Sequence, residues 1–152
     1  MKIWLAAVGR ARAGPARDLY DEYARRMTWT LVLKEVEVRK RVSSEELKRL
    51  EADLLLAAVP NNAMIVALDE RGTALSSERF AERLGTWRDT GVGDIAFLIG
   101  GADGHGEAVG KRADLMVALG PMTWPHMMVR AMVTEQLYRA QQILAGHPYH
   151  RA

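Results

Sequence analysis

What most constrains this chain is a regular alternation, from Lys2 to the C-terminal region, of short apolar runs with longer amphipathic stretches. Runs of roughly four to eight aliphatic and β-branched residues bounded by turn formers read as strands. Stretches with apolar residues three and four apart read as helices. A strand followed by a helix begins its successor at the same end of the sheet. Successive strands therefore run parallel, and the helices cover both faces. The expected fold class is α/β, with a parallel sheet between two helical layers.

Taken in order, the strands fall at Lys2–Val8, Thr30–Val38, Ala63–Leu68, Asp94–Ile99 and Asp114–Leu119. Gly14-Pro15 opens the first helix, with Pro15 tolerated in its first turn, and Leu19, Tyr23 and Met27 form its apolar stripe. Ser43-Ser44-Glu45-Glu46 has the form of a capping box, in which a hydroxyl takes an amide and Glu46 reaches back. The helix it starts carries Leu47, Leu50 and Leu54 and ends near Pro60. Ser76 or Ser77 caps a third helix bearing Phe80, Leu84 and Trp87. A short helix over Glu107–Ala113 follows, and a long one from Pro125 to about Ala145 stops at Gly146. That last helix has an apolar stripe of Val129, Val133, Leu137, Ala140 and Leu144, with Met127, Met128, Met132 and Tyr138 partly outside it. Apolar residues on two faces fit either a helix covered by a partner subunit or one buried within a monomer. No repeat and no linker interrupts the 152 residues, so 1–152 is expected to form one domain.

The net charge of +2 hides an uneven distribution. Arg10, Arg12, Arg17, Arg25, Arg26, Lys34, Arg39, Lys40, Arg41, Lys48 and Arg49 crowd the first third. Such a surface suits solvated helices or an anionic partner such as nucleic acid, and Arg39-Lys40-Arg41 fits a solvated loop or a phosphate contact. The absence of cysteine excludes disulfides and thiolate metal sites and agrees with a cytoplasmic location. His105, His126, His147 and His150 lack the four-residue helical spacing of a zinc helix, so no metal is expected. No stretch approaches the ~18 apolar residues of a membrane span.

Two strand ends break sharply into turn formers, Ile95-Ala96-Phe97-Leu98-Ile99-Gly100-Gly101 and Leu119-Gly120-Pro121-Met122-Thr123-Trp124-Pro125-His126. Open α/β sheets place ligands at such carboxyl ends. The glycines from Gly100 to Gly106 fit neither phosphate-loop fingerprint, because no Gly-Lys-Ser/Thr follows and they succeed the fourth strand. Behind the last helix stands a polar tail, Gly146-His147-Pro148-Tyr149-His150-Arg151. Asp69 closes the third strand, where it either binds a polar ligand group or caps a turn. No serine lies in a strand–turn elbow, so Ser/His/Asp chemistry has no support.

These blocks, with Val129-Arg130 and Glu135-Gln136-Leu137-Tyr138-Arg139-Ala140, together resemble the bacterial large-subunit rRNA pseudouridine N3-methyltransferases of the SPOUT class. The resemblance spans the whole chain. It implies a C-terminal trefoil knot, a homodimer, S-adenosylmethionine as methyl donor and large-subunit rRNA within the ribosome as partner. The donor would lie among three loops, at Leu68, at Gly100 and Gly101, and at Leu119, Gly120, Pro121, Met122, Thr123 and Trp124. Catalytic contributions would come from His126, Arg139, Tyr149, His150 and Arg151, the tail of one subunit completing the site of the other. The resemblance leaves open which of them accepts a proton; for His126, a capping or dimer-contact role stands beside the catalytic one.

The chain departs from the family pattern at Ala102-Asp103, where Pro-Glu is commoner, at His105-Gly106, at Gly120 in place of Ser and at Trp124 in place of a smaller apolar residue. Main-chain recognition of a cofactor survives these changes, whereas any role for a hydroxyl at position 120 does not. Two other readings are an RNA- or ribosome-binding protein without catalysis, from the basic first third, and a flavodoxin-like nucleotide-binding domain, from the glycines and strand alternation.

Overall fold

The computed structural model describes residues 1–151. The strands are β1 (Lys2–Val8), β2 (Thr30–Val36), β3 (Met64–Ala74), β4 (Asp94–Ile99) and β5 (Leu115–Ala118). The helices are α1 (Pro15–Arg26), α2 (Ser44–Ala57), α3 (Ser77–Asp89), α4 (Glu107–Arg112) and α5 (His126–Leu144). All strands pair in parallel in the order β2-β1-β4-β3-β5. A flavodoxin-like sheet runs 2-1-3-4-5. Here β4 lies between β1 and β3, so that reading is corrected.

Period-two alternation sorts the side chains into two cores. Ile3, Leu5, Ala7, Val66, Ile95, Phe97 and Ile99 face Phe80, Leu84 and Trp87 of α3 and Val133, Leu137 and Ala140 of α5. On the other face Ala6, Val8, Ile65, Ala67, Ala96 and Leu98 meet Ala52 and Leu55 of α2 and Val109 of α4. Phe97 and Leu98 of β4 are no more than 1% exposed, as the strand nearest the middle of a doubly covered sheet requires.

Several elements differ from their sequence reading. β3 continues past Asp69 to Ala74, with a break in register between Leu68 and Thr73. The four residues between break the ladder, although Gly72 lies so close to the Met116 and Val117 main chain of β5 that a Cβ there would come within 2.6 Å of it. No hydrophobic pattern marks a strand that resumes after a bulge. β2 stops at Val36, two residues early. Ser43 Oγ accepts from the Glu46 amide at 3.2 Å, but the Glu46 side chain pairs with Arg49 instead of reaching back. The third helix takes its cap from Ser76, which accepts from the Arg79 amide. Pro125 is the N-cap of α5, not its first residue. The stripe on α1 is not buried: none of its residues is, and Leu19 is 49% exposed.

Candidate functional site

The carboxyl ends of β3, β4 and β5 form the walls of a cavity of about 760 Å³. Eight of the nine expected cofactor positions line it, namely Leu68, Gly100, Gly101, Leu119, Gly120, Met122, Thr123 and Trp124; Pro121 does not. His126, the first residue of α5, lines it as well. A second cavity of about 550 Å³ lies against the same strand ends, sharing Leu68, Leu119 and Gly120 and extending between Tyr23, Phe80 and Met132.

The loops that shape the first cavity are fixed by their own hydrogen bonds. Asp69 accepts from the Arg71 amide at 2.8 Å and from its guanidinium at 2.9 and 3.0 Å. That guanidinium, chiefly, holds the Asp69 carboxyl below its ordinary value. Thr123 donates to Glu70 at 2.7 Å, and the Trp124 indole to the Leu119 carbonyl at 3.0 Å, tying the third loop to the first and to itself. Gly120 has φ +94°, which an L side chain rarely adopts, so a glycine where the family more often has serine suits this turn. At Gly101 a Cβ would stand 3.0 Å from a Glu51 carboxylate oxygen and 3.2 Å from Val8. Glu51 is 7% exposed, one of its oxygens has no partner, and burial with the nearby Asp103 charge pushes its carboxyl up. His105 bonds the Leu98 carbonyl through Nε2 at 3.1 Å. Burial pushes this imidazole down, against the carbonyl's opposing pull, so it is neutral at physiological pH.

His126 is also pushed down, first by burial and then by the neighbouring Arg130 charge. Its imidazole makes no hydrogen bond within the described chain and lies beside Gly9, 3.8 Å from where a Cβ would be. Arg130 is 2% exposed and grips three groups: Glu35 at 2.6 Å, the Val8 carbonyl at 3.1 Å and the Gly9 carbonyl at 2.7 Å. Burial acts to raise the Glu35 carboxyl, but bonds from the Ala11 amide and Arg130 outweigh it and hold it below its ordinary value.

The other expected catalytic residues gather elsewhere. Arg139, Tyr149 and His150 meet on the C-terminal half of α5, outside the first cavity. Glu135 is their hub, accepting from Arg139 Nε and from the Tyr149 hydroxyl, both at 3.0 Å. His150 Nε2 lies 2.7 Å from Glu78, and its Nδ1 lies 3.2 Å from Arg139 Nη1. A guanidinium only donates, so Nδ1 accepts and the ring proton faces Glu78. Burial, and bonds with Tyr23 and Glu135, push the Tyr149 hydroxyl far above its ordinary value. Arg151 is exposed and joins none of these bonds.

Sequence reasoning missed Glu51, Arg130, Glu35, Glu70 and Glu78. Only Arg130 carried a signal, a cation at a helical position flanked by apolar neighbours. Among the described residues no three His, Asp or Glu side chains are placed to hold a metal, and no helix is long and apolar enough to cross a membrane.

Comparison with known proteins bears on this architecture directly. The family described as "Predicted SPOUT methyltransferase" matches residues 1–150. The chain belongs to the SPOUT methyltransferase family. A protein of Rhodospirillum centenum named ribosomal RNA large subunit methyltransferase H is 73% identical over 152 residues, covering 100% of both chains. One of the same name from Paramagnetospirillum magneticum is 57% identical and covers 99% of each. A solved structure of a probable methylase family protein from Haemophilus influenzae superposes with a TM-score of 0.60 at 14% identity, over 95% of this chain and 66% of that one. At that identity the superposition speaks for the fold alone. This SPOUT methyltransferase therefore bears out the resemblance read from its C-terminal blocks, and membership implies a methyl donor.

Proposed function

We propose that this chain is an S-adenosylmethionine-dependent enzyme that methylates N3 of a pseudouridine in a large-subunit rRNA stem-loop on the ribosome. The observation that carries the reading is the convergence of three strand-end loops on one cavity with His126 at its wall. The cavity suits the donor. Leu68, Leu119 and Met122 offer apolar walls, and the main chain from Leu119 to Trp124 offers polar groups. When bound, the donor supplies an electrophilic methyl group.

The chain's own residues must orient the base and take its N3 proton. Three candidates for that proton separate by hydrogen-bond accounting. Tyr149 is held protonated, and the His150 lone pair is occupied by Arg139. His126 is neutral and its imidazole is free, so the proton is assigned to it. Arg139 and Arg151 then serve phosphate binding or stabilise a deprotonated ring.

The reading includes one domain over 1–152, a cytoplasmic homodimer and a trefoil knot in the C-terminal part. Exposed Leu19 (49%), Met128 (43%) and Met122 (71%) support a second copy. So does the distance of the Arg139 group from its own chain's cavity, since a tail so placed serves a partner's site.

Purified protein, labelled S-adenosylmethionine and ribosomes lacking the modification should place label in large-subunit rRNA, and sedimentation should give twice the chain's 16.9 kDa. Ribosome binding with no affinity for the donor would instead favour the non-catalytic reading. His126→Asn should lower kcat/KM about 100-fold and abolish the acid limb of its pH profile. An unchanged limb would remove His126 as the acceptor.

A further inference from the structure

Apart from Lys2 and Lys34, whose ammonium groups lie over the Trp4 ring, the basic residues of the first third divide into two groups. Arg17, Arg25, Arg26, Lys48 and Arg49 pair with Asp21, Glu22, Glu45, Glu46 or Asp53 on their own helices. Arg10, Arg12, Arg39, Lys40 and Arg41 lie on the two loops that follow β1 and β2, and all are exposed. β1 and β2 end in register at Val8 and Val36, and the Gly9 amide donates to the Val36 carbonyl at 2.8 Å. The two loops therefore leave the sheet side by side, about 4.8 Å apart at their roots.

One carboxylate, Glu37, is within ion-pair reach of this group, 3.7 Å from Arg10 and 3.8 Å from Arg39. Glu35 and Glu46, engaged by Arg130 and Arg49, act on Arg10 and Lys40 from farther away. Arg12, Lys40 and Arg41 form no ion pair among the described residues. Five cations against one shared carboxylate leave a local excess of positive charge. Long exposed ion pairs such as those of Glu37 are weak and exchange readily for a better anion. Four of the five cations are guanidiniums, whose forked donors match phosphate oxygens.

The roots of this ledge are rigid and adjoin the cavity. Arg130 clamps the Val8 and Gly9 carbonyls and Glu35, and Glu35 in turn accepts from the Ala11 amide at 2.6 Å. Gly9 lies against Met127 and His126, 3.2 and 3.8 Å from where its Cβ would stand. Cations held beside a cavity mouth are placed to bind the strand whose base enters it.

We propose that Arg10, Arg12, Arg39, Lys40 and Arg41 form a docking ledge for an RNA phosphate backbone, running along the β1/β2 edge to the cavity at His126. The proposal rests on the rRNA methyltransferase reading for the nature of its partner. It goes beyond that reading by assigning RNA affinity to residues outside the donor cavity and the tail.

The test measures binding to isolated large ribosomal subunits across a salt series for the wild-type chain, for R39A/K40A/R41A and for R10A/R12A. R79A/R83A/R88A, on α3, is the charge-matched control. Removing one phosphate-binding cation should reduce the slope of log affinity against log salt by about 0.7–0.9. The ledge triple variant should therefore lose about two units of slope and at least ~10-fold in affinity at moderate salt. Calorimetric affinity for S-adenosylmethionine and the thermal melt should match wild type in both ledge variants. Wild-type affinity and slope in the triple variant, an equal weakening in the α3 control, or no subunit binding by the wild type at any salt would each overturn the ledge. A chain that binds subunits through the ledge yet ignores the methyl donor would sink the methyltransferase reading and leave the ledge standing.

Discussion

Arg130 concentrates the residue-scale physics of this protein. A buried guanidinium is tolerated when its charge is met and most of its donors are occupied. Glu35 and the carbonyls of Val8 and Gly9 engage both terminal nitrogens, while Nε has no partner among the described residues. One residue thus joins the N-terminal part of α5, close behind His126 of the first cavity, to the carboxyl ends of β1 and β2. Arg130→Met should lower unfolding stability by about 2 kcal/mol, read from denaturant midpoints, because it leaves the Val8 and Gly9 carbonyls without their donor. Arg130→Lys should recover only part of that deficit, since an ammonium lacks the fork that reaches all three partners. Glu51 beneath Gly101 follows a different logic: a side chain pushed toward its neutral form fills the space that a missing Cβ leaves.

At the scale of elements, the helices begin where short polar side chains satisfy otherwise orphaned amides. Ser43 and Ser76 each accept from the amide three residues on, at 3.2 Å in both cases. Replacing either by Ala should cost about 1 kcal/mol, and the double variant about twice that, because α2 and α3 pack on opposite faces of the sheet. Thermal melts of the three variants check the sum. α1 is stabilised differently, for it contributes no buried residue and its packing on α5 leaves Leu19 half exposed. Its spacing marks it as amphipathic, but which surface would cover the stripe is not written on that helix.

Over the whole molecule, two neutral histidines set a pH dependence. His105 and His126 both have imidazoles pushed below the ordinary 6.5, chiefly by burial. Between the folded values and 6.5 the unfolded chain binds more protons, so stability rises with pH there. The contribution is complete above 6.5 and declines as pH falls through that value toward the folded ones. His105→Asn should flatten much of the decline seen between about pH 7 and 5 in denaturant titrations at successive pH values. An equal decline in the variant would exclude His105 as its source.

The sequence by itself determined the α/β class, the five helices and, apart from the far end of β3, the five strands to within a few residues, and the loops around the cavity. Alternating hydrophobicity, caps and glycine breaks are local signals that neighbouring residues carry. It also carried family membership, in the spaced blocks of its C-terminal part. Only the tertiary structure decided that β4 enters between β1 and β3, that β3 resumes after a bulge, and that Arg130 and Glu51 are buried beside the cavity. It alone separated His126 from the Arg139–Tyr149–His150 group and brought Arg10 and Arg12 beside Arg39, Lys40 and Arg41. These are pairings of residues tens of positions apart, set by which surfaces meet as the core closes. No local pattern encodes such a meeting.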